Sequence, residues 1–418
     1  MNPVPVHSAA VCTPVRVVDV DLARPGEFRL PGDQGSVTPR GRIRALVRLH
    51  GRPLGMVSAG ETSGPEALWS AVARAAHVEL ADNLARHRAS DRAEPRPALP
   101  DAPLISVIVA TRDRPRQLCR CLDSLLRSAY REFEIIVVDN APADRATEAL
   151  VRGAFEGRVR YLREPVAGLA RAHNRGLSRA CGPVVAFTDD DTLVDPGWLS
   201  ALAETFASDT RIGCVTGLIV PAELDTPAQA AVERHGGFAK GYTVLTWSLS
   251  DTSADPLFPF AAGRFGSGAN MAFRTDVLRS LGGFDPATGA GTPARGGDDL
   301  LAFFEVLTAG HSLVYQPAAI VWHRHRRTQD AVAAQVFGYG VGLGAYLTGA
   351  LVRHPRQLPA LLCRLPRGVR HVVTRSRGRL ADPEAGWSRR LTLLEMRGMA
   401  YGPCGYARGR LTGDRGRR

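Results

Sequence analysis

The stretch that most restricts the fold is Val184 to Pro196, VVAFTDDDTLVDP. Val184, Val185, Ala186 and Phe187 form a short uncharged run, the pattern of a strand buried on both faces of a parallel sheet. Three carboxylates follow without a spacer. Adjacent carboxylates repel one another and resist burial, so three at a strand end ask for a compensating cation. Hard oxygen ligands at the carboxyl edge of an α/β sheet suit Mg2+ or Mn2+, ions that usually carry a substrate's phosphates. The same residues would also serve as an acidic turn capping the helix expected from Trp198.

The pattern recurs upstream. LISVIVATRDR from Leu104 is an apolar run ending in a polar loop, and FEIIVVDNAP (Phe133 to Pro142) is a second. VRYLREP (Val159 to Pro165) is a third strand and VVAFTDDD the fourth. Between them, Pro115 to Ala129, Asp144 to Phe155 and Gly168 to Ala180 carry helical spacing, with Leu118, Leu122, Leu125 and Leu126 on one face of the first. Alternating strands and helices imply an α/β fold with a doubly wound, mostly parallel sheet. Strands one and four should flank the point where the strand order reverses and ligands collect.

Beyond Ala207 the alternation breaks. IGCVTGLIV is a further strand, and Gly263 to Pro286 gives a glycine-rich turn, a short strand and a helix. GAGTPARGG is a flexible loop ahead of a helix opened by Asp298 and Asp299. LVYQPAAIVWHRHRRT ends a strand in a His/Arg cluster. Residues 1–95 read as a small α+β module: VRVVDVDL and IRALVRLHGRPLGMVS alternate as strands do, and a helix carrying Leu68, Val72 and Ala75 follows. A linker at 96–103 leads to a catalytic domain at 104–330, and 331–418 form a helical, Arg-rich end.

The formal charge of +12 points to nucleic acid only superficially. Lys240 is the sole lysine and the arginines are scattered, except where Arg364, Arg367, Arg370, Arg375, Arg377, Arg379, Arg389 and Arg390 crowd together. That end fits an anionic membrane face or a solvated tail. Aromatics make up 6% of the chain and do not interleave with arginine, so no nucleic-acid partner is expected. Seven scattered cysteines without CxxC or zinc spacing suggest reduced thiols, and the N-terminus lacks a basic-then-apolar leader, so a cytoplasmic location is expected. Ala331 to Val352 is uncharged and long enough to span a bilayer, but five glycines favour a helix packed on the catalytic domain or lying on a membrane surface.

Taken in order, VIVATRDR, IIVVDNAP, GLARAHNRG, FTDDD, GSGANMAFR, GGDDLL and VWHRHR resemble the family-2 glycosyltransferases, whose nucleotide-sugar-binding fold is called GT-A. The resemblance runs from Leu104 to Arg327. It departs at Asp298-Asp299, where the family has Glu-Asp, and it lacks the Gln-x-x-Arg-Trp motif of processive synthases. It implies inverting transfer of a sugar from a nucleoside diphosphate donor, most simply a UDP-sugar, to a saccharide, lipid-linked or small-molecule hydroxyl.

Roles carried over with the resemblance are these. Asp191 would contact the metal, Asp189 metal or ribose, and His323 would complete the metal site unless it merely packs beside Trp322. Thr111, Arg112, Asp113 and Asp190 would line the nucleotide pocket, with Asp139 reading the base, although Asp113 and Asp139 also suit capping and turns. Arg171 and Asn174, one helical turn apart, would hold phosphate or ribose, or form a plain surface pair. Asp299 would be the general base and Asp298 would orient the acceptor, although first-turn carboxylates are favoured structurally too. Gly268 would permit close approach of a sugar and Asn270 would meet its hydroxyls. A sugar nucleotidyltransferase shares this fold type but would want glycine in the loop after strand one, and ATRDRPRQL has none. A non-catalytic nucleotide or polyanion binder would want the basic clusters and interleaved aromatics that are missing here.

Overall fold

A computed structural model describes residues 14–60, 64–90, 102–234, 237–250, 257–364 and 386–415. The linker expected at 96–103 and the arginines from Arg367 to Arg379 fall largely or wholly outside them. The N-terminal module comprises β1 (Arg16–Asp21), β2 (Ile43–Leu49) and β3 (Arg52–Ala59), backed by α1 (Pro65–Glu79) and α2 (Ala81–Ser90). β2 is central, parallel to β1 and antiparallel to β3. Alternation splits the faces: Val18, Val20, Val47 and Val57 pack with Leu68 and Val72, whereas Val17 and Leu46 pack with Leu218, Tyr315, Ile320 and Trp322 of the large domain. The module thus has its own core and also covers one end of the larger sheet.

That sheet has nine strands. Its parallel half contains β4 (Ile105–Thr111), β5 (Phe133–Asn140), β6 (Arg160–Glu164) and β7 (Val184–Asp189), connected through α3 (Pro115–Leu125), α4 (Ala146–Ala154) and α5 (Leu169–Leu177). The order is β7-β4-β5-β6, so strands one and four of the sequence reading lie side by side at the reversal. Ile108, Ile136, Val138, Val185 and Phe187 face one core; Val107, Val109, Ile135, Val137, Val184 and Ala186 face the other. Burial on both faces is why these strands read as unbroken apolar runs.

β8 (Thr192–Val194) and α6 (Trp198–Ser208) follow the acidic turn, and β9 (Ile212–Pro221), α7 (Pro227–Arg234) and β10 (Leu245–Trp247) come next. β11 (Asn270–Arg274) runs antiparallel between β7 and β9 and joins the halves. Helices α8 (Thr275–Ser280) and α9 (Asp298–Thr308) precede β12 (Ser312–His323), which runs parallel to β9.

The last helices, α10 (Gln329–Arg353) and α11 (Gly386–Arg415), pack against each other. By length and composition α10 could cross a bilayer, and half of its apolar window is buried in the fold. Its glycines serve close packing on two sides. A Cβ at Gly340 or Gly344 would strike the α11 backbone at Glu395 and Met399, and one at Gly342 would strike Gly296 in the loop before α9. That loop, expected to be flexible, is fastened: Gly289 N donates to Gly296 O at 3.1 Å and Leu169 N to Ala290 O at 2.8 Å. No disulfide forms among the described residues.

One buried ion cluster joins module and domain. Arg48 Nε donates to Asp19 Oδ1 at 2.8 Å, and its Nη2 bridges to Asp195 on the loop before α6. Arg48→Met should leave two buried carboxylates facing each other and cost about 3–5 kcal/mol. Urea denaturation would register it as a lower midpoint; a loss below about 1 kcal/mol would mean the cluster does not fasten the module.

Candidate active site

β7 ends at Asp189, and Asp190 and Asp191 turn the chain into β8, which pairs antiparallel with the end of β12. Thr192 stands opposite His323 in that ladder, so the acidic turn meets the imidazole by register alone. Asp191 Oδ1 lies 3.4 Å from His323 Nε2. One ligand atom each from Asp189, Asp191 and His323 all fall within 4.8 Å of one another, an oxygen-oxygen-nitrogen set that fits Mn2+ or Mg2+. Burial pushes the His323 pKa down to about 4, so the ring is neutral at physiological pH and keeps a lone pair for a cation.

Burial raises the Asp189 carboxyl well above its ordinary range, and Asp191, Asp190, Asp298 and Asp299 raise it further. The last two belong to α9, so the start of that helix shares the electrostatic field of the acidic turn. Positive charge answers from two sides: Arg114 Nη1 lies 3.5 Å from Asp191 Oδ2, and Arg326 Nη1 lies 3.4 Å from it.

Asp299 accepts from Gly268 N and from Leu300 N, each at 2.8 Å. Burial, then Asp298, lifts its pKa to about 6, against the pull of those amides. Asp298 is buried, 3.6 Å from His173 Nδ1, which has no hydrogen-bond partner among the described residues. Further along the same sheet edge, the register sets Asp139 against Thr111. Tyr161 donates to Asp139 Oδ2 at 2.9 Å, while Asp139 Oδ1 is buried with no hydrogen-bond partner among the described residues. Burial raises this carboxyl too.

Several expected contacts are occupied within the fold. Asn270 is fully buried: its Nδ2 donates to Leu218 O at 3.0 Å and Ala319 O at 2.8 Å, and its Oδ1 accepts from Trp198 Nε1 at 2.8 Å. It ties β11 to β9, β12 and α6 and does not face a sugar. Asn174 spends both ends on Phe284, Nδ2 on the carbonyl at 2.7 Å and Oδ1 on the amide at 2.8 Å, so it does not present phosphate-binding atoms with Arg171. Asp190 accepts from Thr111 Oγ1 at 2.7 Å and Arg114 at 3.2 Å, tying the turn to β4 instead of facing a nucleotide. Gly268 gives its amide to the Asp299 carboxylate, so it orients that carboxylate. Asp113, exposed and at φ 56°, accepts from Ala143 N at 2.9 Å, and Arg112 is exposed beside it.

The sequence reading passed over Arg114, Arg326 and Tyr339. Tyr339 on α10 sets its ring edge-on to Phe238, with centroids 6.3 Å apart. Although the residue is 46% exposed, desolvation where its ring meets the fold, then the Asp189, Asp191 and Asp299 carboxylates, raises its phenol. Arg326 was within reach of the sequence, three residues past His323; Tyr339 was hidden in an apolar helix.

Residues 106–282 match the family model described as glycosyl transferase family 2. The chain is similar to a pre-mycofactocin glycosyltransferase of Mycobacterium tuberculosis, 28% identical over 275 residues, covering 65% of this chain and 52% of that protein. It is also similar to a glucosyl-dolichyl phosphate glucuronosyltransferase of Haloferax volcanii, 23% identical over 194 residues, covering 44% and 57%. The chain thus spans about half the length of the curated relatives it matches. Among solved structures it is similar to a mannosyltransferase, PcManGT from Pyrobaculum calidifontis in complex with GDP-Man and Mn2+, with 19% identity, 79% of this chain and 97% of that chain covered, and a TM-score of 0.49.

The burial of Asn270 has a measurable consequence. Asn270→Ala should strand three buried partners and lower stability by about 3 kcal/mol, seen as a drop in melting temperature. An unchanged melting temperature with weakened substrate binding would restore it to the sugar site.

Proposed function

From the match of residues 106–282 to the family model of glycosyl transferase family 2, we propose that the chain moves a sugar from a nucleoside diphosphate donor to a hydroxyl acceptor with inversion. The observation that carries the reading is the convergence of two acidic groups with different tasks. Asp189, Asp191 and His323 form a cation-sized set, and Asp299 lies close enough to raise the Asp189 carboxyl. A divalent cation held by that set would act as a Lewis acid toward the leaving diphosphate. Mg2+ and Mn2+ both suit the donors.

In this reading Asp299 takes the acceptor hydroxyl's proton while that oxygen bonds to the anomeric carbon, and the carbon–phosphate oxygen bond breaks. A single in-line displacement inverts the centre, and the nucleoside diphosphate leaves. The fixed amides of Gly268 and Leu300 orient Asp299 without neutralising it, and a pKa near 6 suits a base working at neutral pH. Asp298 orients the acceptor. Arg114 and Arg326 flank Asp191 and would meet phosphate oxygens as charge-assisted donors. Asp139 Oδ1 would accept from a base N–H such as that of uracil, which supports a UDP-type donor.

The absence of a Gln-x-x-Arg-Trp motif supports one or a few transfers per acceptor. The domain division at about 95 and 330 remains part of the reading, with the module as a buttress. Exposed Leu358, Leu362, Leu393 and Met396, with Arg389, Arg390 and Arg397 near the last two, support peripheral contact with an anionic inner membrane face, where a lipid-linked acceptor would lie.

Purified chain with Mn2+ and a panel of nucleoside-diphosphate sugars should release sugar and nucleoside diphosphate only when metal is present. Pyrophosphate release would instead mark a nucleotidyltransferase, and silence across the panel a binder. Asp299→Asn should cut kcat roughly 100- to 10,000-fold with donor affinity retained. Because Asp299 must be ionised, activity should be present above pH 6 and fall as pH drops through it. A flat acid limb down to pH 4.5 would exclude Asp299 as the base. Sedimentation with phosphatidylserine vesicles should decline from low to high salt; equal recovery on neutral vesicles would remove the electrostatic contact.

A further inference from the structure

Behind His323 stands a second imidazole and then a carboxylate, none of which the proposed transfer uses. His323 Nδ1 lies 3.1 Å from His325 Nδ1, and His325 Nε2 lies 2.8 Å from Glu233 Oε1. Both rings are buried, and Phe238 packs on each, with centroids 5.2 and 5.6 Å away. The helix that carries the carboxylate is tied to the same segment: Gln229, one turn earlier on α7, donates through Nε2 to the His325 carbonyl at 3.2 Å.

With one proton on each ring, only one arrangement makes both contacts of this row, His325 to Glu233 and His323 to His325. An ionised carboxylate only accepts, so His325 must carry its proton on Nε2 to meet Glu233. Its Nδ1 is then a lone pair, and the 3.1 Å contact becomes a hydrogen bond only if His323 donates from Nδ1. His323 Nε2 is left bare, and that atom faces Asp191 at 3.4 Å. A metal-ligating histidine ordinarily fixes its tautomer through a hydrogen bond from the other nitrogen. Here the acceptor is a histidine, itself oriented by a carboxylate 92 positions upstream.

We infer that Glu233 and His325 are positioning residues that lock His323 in the Nδ1-protonated tautomer and so present its Nε2 lone pair to a divalent cation. The inference rests on the metal reading given above and adds the residues that prepare the ligand. The helix α7 thereby becomes part of the site although it contributes no ligand.

Two measurements test it, neither dependent on turnover. Mn2+ binding, followed by the loss of the free-ion EPR signal without nucleotide, compares wild type with His325→Phe, Glu233→Ala and His325→Asn. Phenylalanine keeps a ring but cannot accept a hydrogen bond. Asparagine places an oxygen near the position of the lost Nδ1 and should rescue. Expected are losses of roughly 10- to 100-fold for His325→Phe and about 10-fold for Glu233→Ala, with His325→Asn within about 3-fold of wild type. Long-range 1H–15N spectra of histidine-labelled, metal-free wild type should place the His323 proton on Nδ1. Wild-type affinity in a folded His325→Phe variant, or a His323 proton on Nε2, would overturn the inference while leaving the metal reading intact. A wild type that leaves Mn2+ free would instead overturn the metal reading itself. If His325→Phe does not fold, the wild-type spectra and Glu233→Ala still decide.

Discussion

Five carboxylates that would rather be apart meet at one edge of a sheet. Asp189, Asp190 and Asp191 come from the turn after β7, and Asp298 and Asp299 from the first turn of α9. Two unit charges about 4 Å apart at an effective dielectric near 20 repel by about 4 kcal/mol, a large share of the 5–15 kcal/mol that holds a typical domain folded. The fold tolerates this by answering each charge differently. Asp190 takes Thr111 and Arg114, Asp191 takes two guanidiniums and an imidazole, and Asp299 takes two amides. Asp189 is left with a strongly raised pKa, which a divalent cation would bring down.

Holding these groups at one edge requires rigidity behind them. β4 and β7 are continuous apolar runs packed on both faces, so their ends are fixed to within the register of the ladder. β12 delivers His323 through its pairing with β8. The glycines of α10 let two helices and the loop before α9 approach at backbone distance, and that loop aims Asp298 and Asp299. The N-terminal module closes the far face through an apolar patch and a buried arginine between two aspartates. Packing and the candidate site are therefore coupled: the helix that resembles a membrane span also steadies the loop that leads into Asp298 and Asp299.

Much of this could be read from the chain. Apolar runs leading into Asp-bearing loops gave β4, β5 and β7; Asp189, Asp191 and His323 offer ligand atoms within 4.8 Å of one another, and the Asp298-Asp299 helix start raises the Asp189 carboxyl. Short polar motifs misled where tertiary neighbours decide. Asn270 and Asn174 sit in segments that resemble ligand-binding motifs, yet both spend their hydrogen bonds on the protein, because β11 is inserted between β7 and β9 and α5 packs on the loop at Phe284. Arg114 and Arg326 were lost among more than fifty cations. The pairing of Glu233 with His325 spans 92 positions, and no local pattern signals it. The loop before α9 reads as flexible from its glycines, but Gly289, Gly291 and Gly297 adopt positive φ in a fastened turn.

The central claim is that a cation at the acidic turn and a base on α9 face one another across a single cleft. Anomalous diffraction from crystals grown with Mn2+ and a nucleoside diphosphate tests it most directly. The account predicts one strong peak coordinated by Asp189 or Asp191 together with His323 Nε2, with the diphosphate on it and the Asp299 carboxylate lining the same cavity. A peak elsewhere, or a diphosphate bound with Asp299 turned out of that cavity, would contradict it.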